Sequence, residues 1–167
     1  MTDTREHRII TAFVTLATSL AAGQDVTELF TSLTDECADL LGVAAAGLLL
    51  ADAGGVLHLM AASSHEATAL ELFQLQRAQG PCLDCVHTGS AVSADDLAQE
   101  TDRWPQFTPA AAAAGFASVH AFPMRLGDRV LGALNLFGAE PGPLSDADRD
   151  LAQAFADVAS PGLSREG

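Results

Sequence analysis

The chain has 167 residues, with 22 Asp and Glu against 8 Lys and Arg, for a formal net charge of −14. All the cations are arginines, dispersed between Arg5 and Arg165, whereas a duplex-binding surface neutralises about 6–10 phosphates, so the composition argues against direct binding of nucleic acid or an anionic membrane. An apolar fraction of 49% in a chain of about one domain's length excludes a disordered acidic tail and predicts one hydrophobic core.

Met1 to Arg8 is polar, and the apolar residues after it are interrupted by Thr15, Thr18 and Ser19. This reads as neither a signal-peptide core nor a span of about 20 apolar residues. A first helix is predicted from Arg5 to Ala22, with Ile9, Phe13, Leu16 and Leu20 on one stripe and Gly23 ending it. Asp25 followed by Glu28 resembles a capping box. The helix it opens turns Leu29, Leu33, Cys37 and Leu40 inward and stops at Gly42. Two apolar runs, Ala44 to Ala51 and Val56 to Ala62, flank Asp52-Ala53-Gly54-Gly55 and predict a hairpin. Ser64 caps a third helix, Glu66 to Arg77, whose successive turns carry Leu70, Phe73 and Gln74 or Arg77, and Gly80-Pro81 breaks it.

Pro81 to Gly115 reads as an irregular excursion with a short strand at Ala91-Val92-Ser93, an acidic stretch through Asp102, and a helix over Pro109 to Ala114. Ala117 to Leu126 and Arg129 to Gly138 alternate across a Gly127-Asp128 turn, a second hairpin. Ser145 and Asp148 then cap a terminal helix marked by Leu151, Phe155 and Val158, which Pro161-Gly162 is expected to stop. The expected organisation is one folded unit over residues 1–160, with 161–167 as a C-terminal tail or truncated linker. Antiparallel hairpins interleaved with helices define an α+β domain with helices on the faces of its sheet.

Cys82-Leu83-Asp84-Cys85 is the motif with reactive chemistry. It reads as a redox pair, half of a zinc site, an electrophile- or metal-sensing thiolate, or two small core residues packed under a lid. A zinc site needs four ligands and there is no second Cys-x-x-Cys; His65, His87 and His120 are the available complements, and no metal is assigned. Three cysteines, with Cys37 read as core, do not make a disulfide framework and point to a reducing, cytoplasmic compartment. No nucleophile elbow, phosphate loop or His-x-x-x-His pair occurs, so no catalytic residue is assigned. Asp95, Asp96 and Glu100 read as a solvated loop, and His58 as an edge-strand histidine.

Three segments, Gly80-Pro81-Cys82-Leu83-Asp84-Cys85-Val86-His87-Thr88-Gly89, Ser118 to Asp128, and Val130-Leu131-Gly132-Ala133-Leu134-Asn135-Leu136-Phe137, resemble a GAF domain, most like the sensory domain of actinobacterial GAF–ANTAR regulators. The resemblance runs from about Arg5 to Ser160. It implies a PAS-like, six-stranded antiparallel sheet with the terminal helices on one face, a lid of helices and loops on the other, and a small-molecule pocket beneath that lid. It further implies homodimerisation through the terminal helices and an RNA-binding antiterminator module as output. That module would follow the last helix, so Gly167 at the end of this sequence corresponds either to an excised sensory domain or to a domain whose partner acts in trans. A branch of the fold, the free methionine-R-sulfoxide reductases, pairs a lid cysteine with a second cysteine on the later strand. Cys82 resembles the first, but Val119-His120-Ala121-Phe122-Pro123 lacks the second and its acidic neighbours.

The expected ligand-binding residues are Cys82, Trp104, Phe107, His120 and Phe122, with Cys82 and Cys85 as redox candidates. Trp104 and Phe107 lie off any apolar stripe in the excursion, so they seal a lid or touch a ligand. On the following strand His120, Phe122 and Met124 share one face. If that face meets the lid, His120 is the polar handle of an otherwise apolar pocket. The ligand and any cofactor are not assigned by sequence. The expected role is therefore small-molecule sensing or dimerisation in signal transduction and transcription regulation, without enzymatic activity.

Overall fold

The computed structural model describes residues 7–12, 14, 15, 18 and 26–166. Within them the chain folds as α1 (Val26–Leu41), β1 (Ala45–Ala51), β2 (Leu57–Ala62), α2 (His65–Arg77), α3 (Pro81–Thr88), β3 (Val92–Ala94), a 3-10 turn (Leu97–Gln99), α4 (Phe107–Ala113), β4 (Ser118–Leu126), β5 (Arg129–Gly138) and α5 (Asp146–Glu166). Residues 7–12 are also helical. Of the expected first-helix stripe, Ile9 packs on the core, while Phe13, Leu16 and Leu20 lie outside the described residues, as does the Asp25 cap.

Five strands, all paired antiparallel, form one sheet in the order β2-β1-β5-β4-β3. The expected α+β architecture is present, with five strands among the described residues where the resemblance implied six. Strand alternation then divides the apolar residues into two layers. Leu48, Leu134, Leu136, Phe122 and Met124 point to one face and pack with α1 and α5 through Phe30, Leu33, Cys37 and Phe155. Leu49, Ala133, Phe137, Val119 and Ala121 point to the other face and pack under α2, α3, α4 and the loop that carries Trp104. The terminal helix and the excursion therefore lie on opposite faces of the sheet.

Three local readings change. Gly80-Pro81 ends α2 but also begins a helix: Gly80 is the N-cap of α3 and Pro81 occupies its first turn, where the missing N–H has no intrahelical partner to lose. The Cys82–Cys85 motif is thus helical rather than irregular, and both cysteines share its buried face. On α2 the inward residues are Ala67, Leu70, Glu71 and Gln74, while Arg77 is exposed with its guanidinium 5.5 Å from the Phe73 ring. Finally, α5 runs through Ser160, Pro161 and Gly162 to Glu166 without a break. A proline deletes one ladder donor at a cost of about 3 kcal/mol, and here the helix continues past it.

Candidate functional site

The lid is tied together by side chains that the excursion supplies. Gln79, in the α2–α3 link, accepts hydrogen bonds through Oε1 from the Gln106 and Phe107 backbone N–H groups at 2.7 and 2.9 Å, satisfying orphan donors at the start of α4. Trp104 Nε1 donates to Asp84 Oδ2 on α3 at 3.0 Å. The Arg103 guanidinium stacks over the Trp104 ring at 4.4 Å and lies 3.6 Å from Asp84. Trp104 and Phe107 meet edge to face at 6.0 Å. Both are buried, as is Ala111 behind them, so these aromatics seal the lid onto a filled apolar layer.

Beneath that layer sits a polar cluster. Glu71, Gln74 and Asn135 are all completely buried. Gln74 Nε2 donates to Glu71 Oε1 and Asn135 Nδ2 donates to Glu71 Oε2, each at 2.6 Å. The Cys82 N–H donates to Gln74 Oε1 at 3.1 Å. Asn135 reaches Glu71 because of its register: its partners across the sheet are Gly47 on β1 and Ala121 on β4. A Cβ at Gly47 would collide with the Glu71 carboxyl, and one at Gly80 with the Gln74 side chain. Glycines at those two positions leave the space that the acid and amide fill.

The electrostatics of the cluster are unusual. Burial raises the Glu71 pKa to about 8, against the lowering effect of its bonds from Asn135 and Gln74, so the carboxyl holds its proton at neutral pH. Asn135 Oδ1 has no hydrogen-bond partner, although a buried amide oxygen left unpaired costs about 1–3 kcal/mol. Burial, then the nearby Glu71, drive the Cys82 thiol well above its ordinary range, and burial pushes Cys85 up to about 12. Both cysteines are free, buried thiols, the opposite of the low-pKa, accessible state of a reactive cysteine. Among the described residues no group of three or more His, Cys, Asp or Glu is placed to hold a metal ion.

A model of the GAF domain family matches residues 23–164. The chain belongs to the GAF family. Its fold is similar to that of the GAF domain from Acinetobacter phosphoenolpyruvate-protein phosphotransferase, at 14% identity and a TM-score of 0.72, covering 93% of this chain and 92% of that one. It is similar to the phycoerythrobilin-bound GAF domain from a cyanobacterial phytochrome, at 15% identity and TM-score 0.69, covering 94% and 95%. It is also similar to free methionine-R-sulfoxide reductase from Neisseria meningitidis, solved with its substrate, at 15% identity and TM-score 0.70, covering 93% and 88%. Likenesses at this identity concern the fold. Among curated proteins, none matches this chain in sequence.

The GAF fold separates the residues that the sequence had placed in one pocket. Cys82, Trp104 and Phe107 lie on the lid side, but Phe122 packs against the terminal helices on the other side. His120 shares its face, since it pairs across the sheet with Leu136 of the terminal-helix layer and alternates with Val119 and Ala121 of the lid layer. The strand periodicity was read correctly and the face was inverted: Val119, Ala121 and Ala133 are the residues under the lid. His120 Nδ1 lies 3.0 Å from Ser93 Oγ, to which Arg149 of α5 also donates at 3.2 Å. It borders a cleft of about 530 Å³ that Ser118 and Ser145 also line. Burial lowers its pKa, partly offset by Asp95, so this histidine helps anchor α5 and is not a lid-side polar handle. His58 is an edge residue bonded to Asp52 at 2.8 Å.

The sequence places Gln74 on the stripe of the third helix without a functional role, and gives neither Glu71 nor Asn135 one. On α2 a Glu beside Leu70 and Leu72 looks like an ordinary solvated position. The available signal was Asn135, the one amide inside the apolar run Val130 to Phe137.

Among the described residues no helix is long and apolar enough to cross a membrane.

Proposed function

We propose that this GAF domain is a non-enzymatic sensory module that binds a small molecule between its sheet and the α2–α3–α4 lid, at Glu71, Gln74, Cys82 and Asn135, with Trp104 and Phe107 as apolar walls. The observation that carries this reading is the Asn135 amide oxygen, completely buried under the lid and without a partner. Buried polar atoms are ordinarily paired, so an unsatisfied acceptor beside a buried acid marks a place where a bound group supplies what the protein omits. The link above it begins at Ala78, which ends α2 in the left-handed region at φ 52°, a helix ending usually made by glycine.

Ligand state would reach the output through α5, which packs on β4 from the opposite face. The motif resemblance supports the sensory half of a GAF–ANTAR regulator of transcription antitermination, working as a cytoplasmic homodimer beside an RNA-binding module in the same or another chain. The absence of a cysteine or carboxylate from Ser118 to Pro123, with the protonated state of Cys82 and Cys85, supports binding over methionine sulfoxide reduction or thiol redox sensing.

The test is thermal unfolding of the full chain against a library of metabolites and cyclic nucleotides, with Asn135→Ala as control. A ligand at 100 times its dissociation constant stabilises by about 2.7 kcal/mol, and the shift is expected in the native sequence and lost in the variant. A flat response favours a pure dimerisation domain. The filled lid layer and a groove of about 440 Å³ between residues 7–15, α1 and Phe155, with Ile10 and Val14 exposed nearby, support that second reading.

A further inference from the structure

The buried His120 ring stands where the β3 edge, the first turns of α5 and the strap of residues 139–145 between β5 and α5 meet. Ser93 of β3 joins two of these elements. Arg149 of α5 donates to Ser93 Oγ at 3.2 Å, and that oxygen lies 3.0 Å from His120 Nδ1. A guanidinium carries donors only, so Ser93 accepts from Arg149 and its own hydroxyl proton is free for Nδ1 of the neutral ring. The ring also bonds the backbone of Gly142 on the strap, and the Gly142 N–H donates to the Asp95 carbonyl at 2.7 Å. The half-exposed Asp95 carboxylate places Oδ1 4.0 Å from the same Nδ1 atom. Of the other groups around the cleft, Glu140 on the strap and Asp148 on α5 are charged, while Leu136 opposite on β5 and Leu41 to Ala44 after α1 are not.

We propose that His120 is a proton-controlled latch on α5, in which Nδ1 exchanges Ser93 for Asp95 as its partner when the ring becomes charged. Protonation turns Nδ1 from an acceptor into a donor. Ser93 Oγ would then accept from two cations, the imidazolium and the Arg149 guanidinium, which repel each other. Asp95 offers a negative charge instead, and a side-chain movement of about 1 Å closes its gap to a charge-assisted hydrogen bond. The exchange breaks the chain from Arg149 through Ser93 to the ring, so the first turns of α5 lose their side-chain tie to the β3 edge. Burial lowers the ring's pKa, Asp95 raises it and Arg149 lowers it further, so the latch is closed at neutral pH and opens in the acid range. The proton comes from solvent. The latch works on the terminal-helix face of the sheet and is independent of any ligand beneath the lid.

The experiment uses the full chain and follows the His120 ring nitrogens by NMR from pH 7 to pH 5, with amide-exchange protection measured at Asp148 and Arg149. Those two amides bond to Ser145 at the start of α5 and report whether it is closed. At pH 7 the ring is expected as the Nε2–H tautomer, with Nδ1 unprotonated. On acidification, protection at Asp148 and Arg149 should fall by about fivefold, the worth of one neutral hydrogen bond, with the midpoint of the ring's own titration. In Ser93→Ala that protection is expected to be low already at pH 7 and to show no pH step. In Asp95→Asn the ring's midpoint is expected to move further to acid, and the α5 step to move with it. Tautomer and midpoint are read on the native protein, so they do not depend on how the variants fold. A ring that carries its proton on Nδ1 at pH 7, or a titration that leaves Asp148 and Arg149 unchanged, overturns the latch. So does a native pH step that survives Ser93→Ala, or a midpoint that Asp95→Asn does not move.

Discussion

Glu71 is the residue at which the fold and its pH response meet. Its carboxyl holds a proton in the folded protein up to a pH of about 8, whereas in the unfolded chain a glutamic acid releases it near pH 4.3. Between those values the folded state binds one proton more than the unfolded state, so stability falls as pH rises. The slope is about 1.4 kcal/mol per pH unit for a single group, and it levels off above the folded value. Glu71→Gln keeps the shape of the acid and removes the titration, at the loss of one of the two bonds that the carboxyl oxygens accept from Gln74 and Asn135. The variant is expected to gain stability over the native protein progressively from pH 5 to pH 8, in denaturant melts at each pH. Parallel curves for the two proteins would show that the carboxyl is ionised or solvated, contrary to its burial.

At the scale of elements, the lid is a set of short pieces held by polar ties, unlike the sheet, which is held by continuous ladders. Trp104→Phe keeps an aromatic ring against Phe107 but removes the indole N–H that reaches Asp84. The loss is expected to exceed about 1 kcal/mol, the net worth of one partly buried hydrogen bond, because the smaller ring also leaves a cavity in a filled layer. Its effect should be local: amide exchange should quicken in α3 and around residues 100–107, with β4 and β5 unchanged. Uniform acceleration across the sheet would mean that the lid and sheet open as one unit. This division also explains what was legible beforehand. Both hairpins, α1 and the start of α5 follow from period and caps, which are local. The helix at Pro81 was hidden because a Gly-Pro pair serves as a stop and a start alike, and only the partners of Cys82 and Cys85 decide between them. The inward turn of Glu71 depends on Gly47 lying opposite Asn135, a register set by strands far apart in sequence. His120 and Phe122 were placed on the same face correctly, yet alternation alone does not say which face the lid covers.

For the whole molecule, charge sets the remaining expectation. The net charge of −14 is spread over a surface where the ion pairs described, such as Arg103 with Asp84 and Arg8 with Asp39, join exposed or half-exposed groups. Pairs of that kind contribute little to stability and lose little on screening, whereas like-charge repulsion over the domain opposes compaction and is relieved by salt. The screening length falls from about 30 Å at 0.01 M to about 3 Å at 1 M. Stability at pH 7 is therefore expected to increase with sodium chloride over that range. The increase should shrink near the pI of about 4.4, where net charge disappears and general salting-out effects remain. At low salt, added RNA should leave the unfolding midpoint unmoved, because the same repulsion keeps a polyanion away from this domain. A midpoint that falls with salt at pH 7 would mean that attractive pairs outweigh the excess of acids, and a shift caused by RNA would locate a nucleic-acid contact on the domain itself.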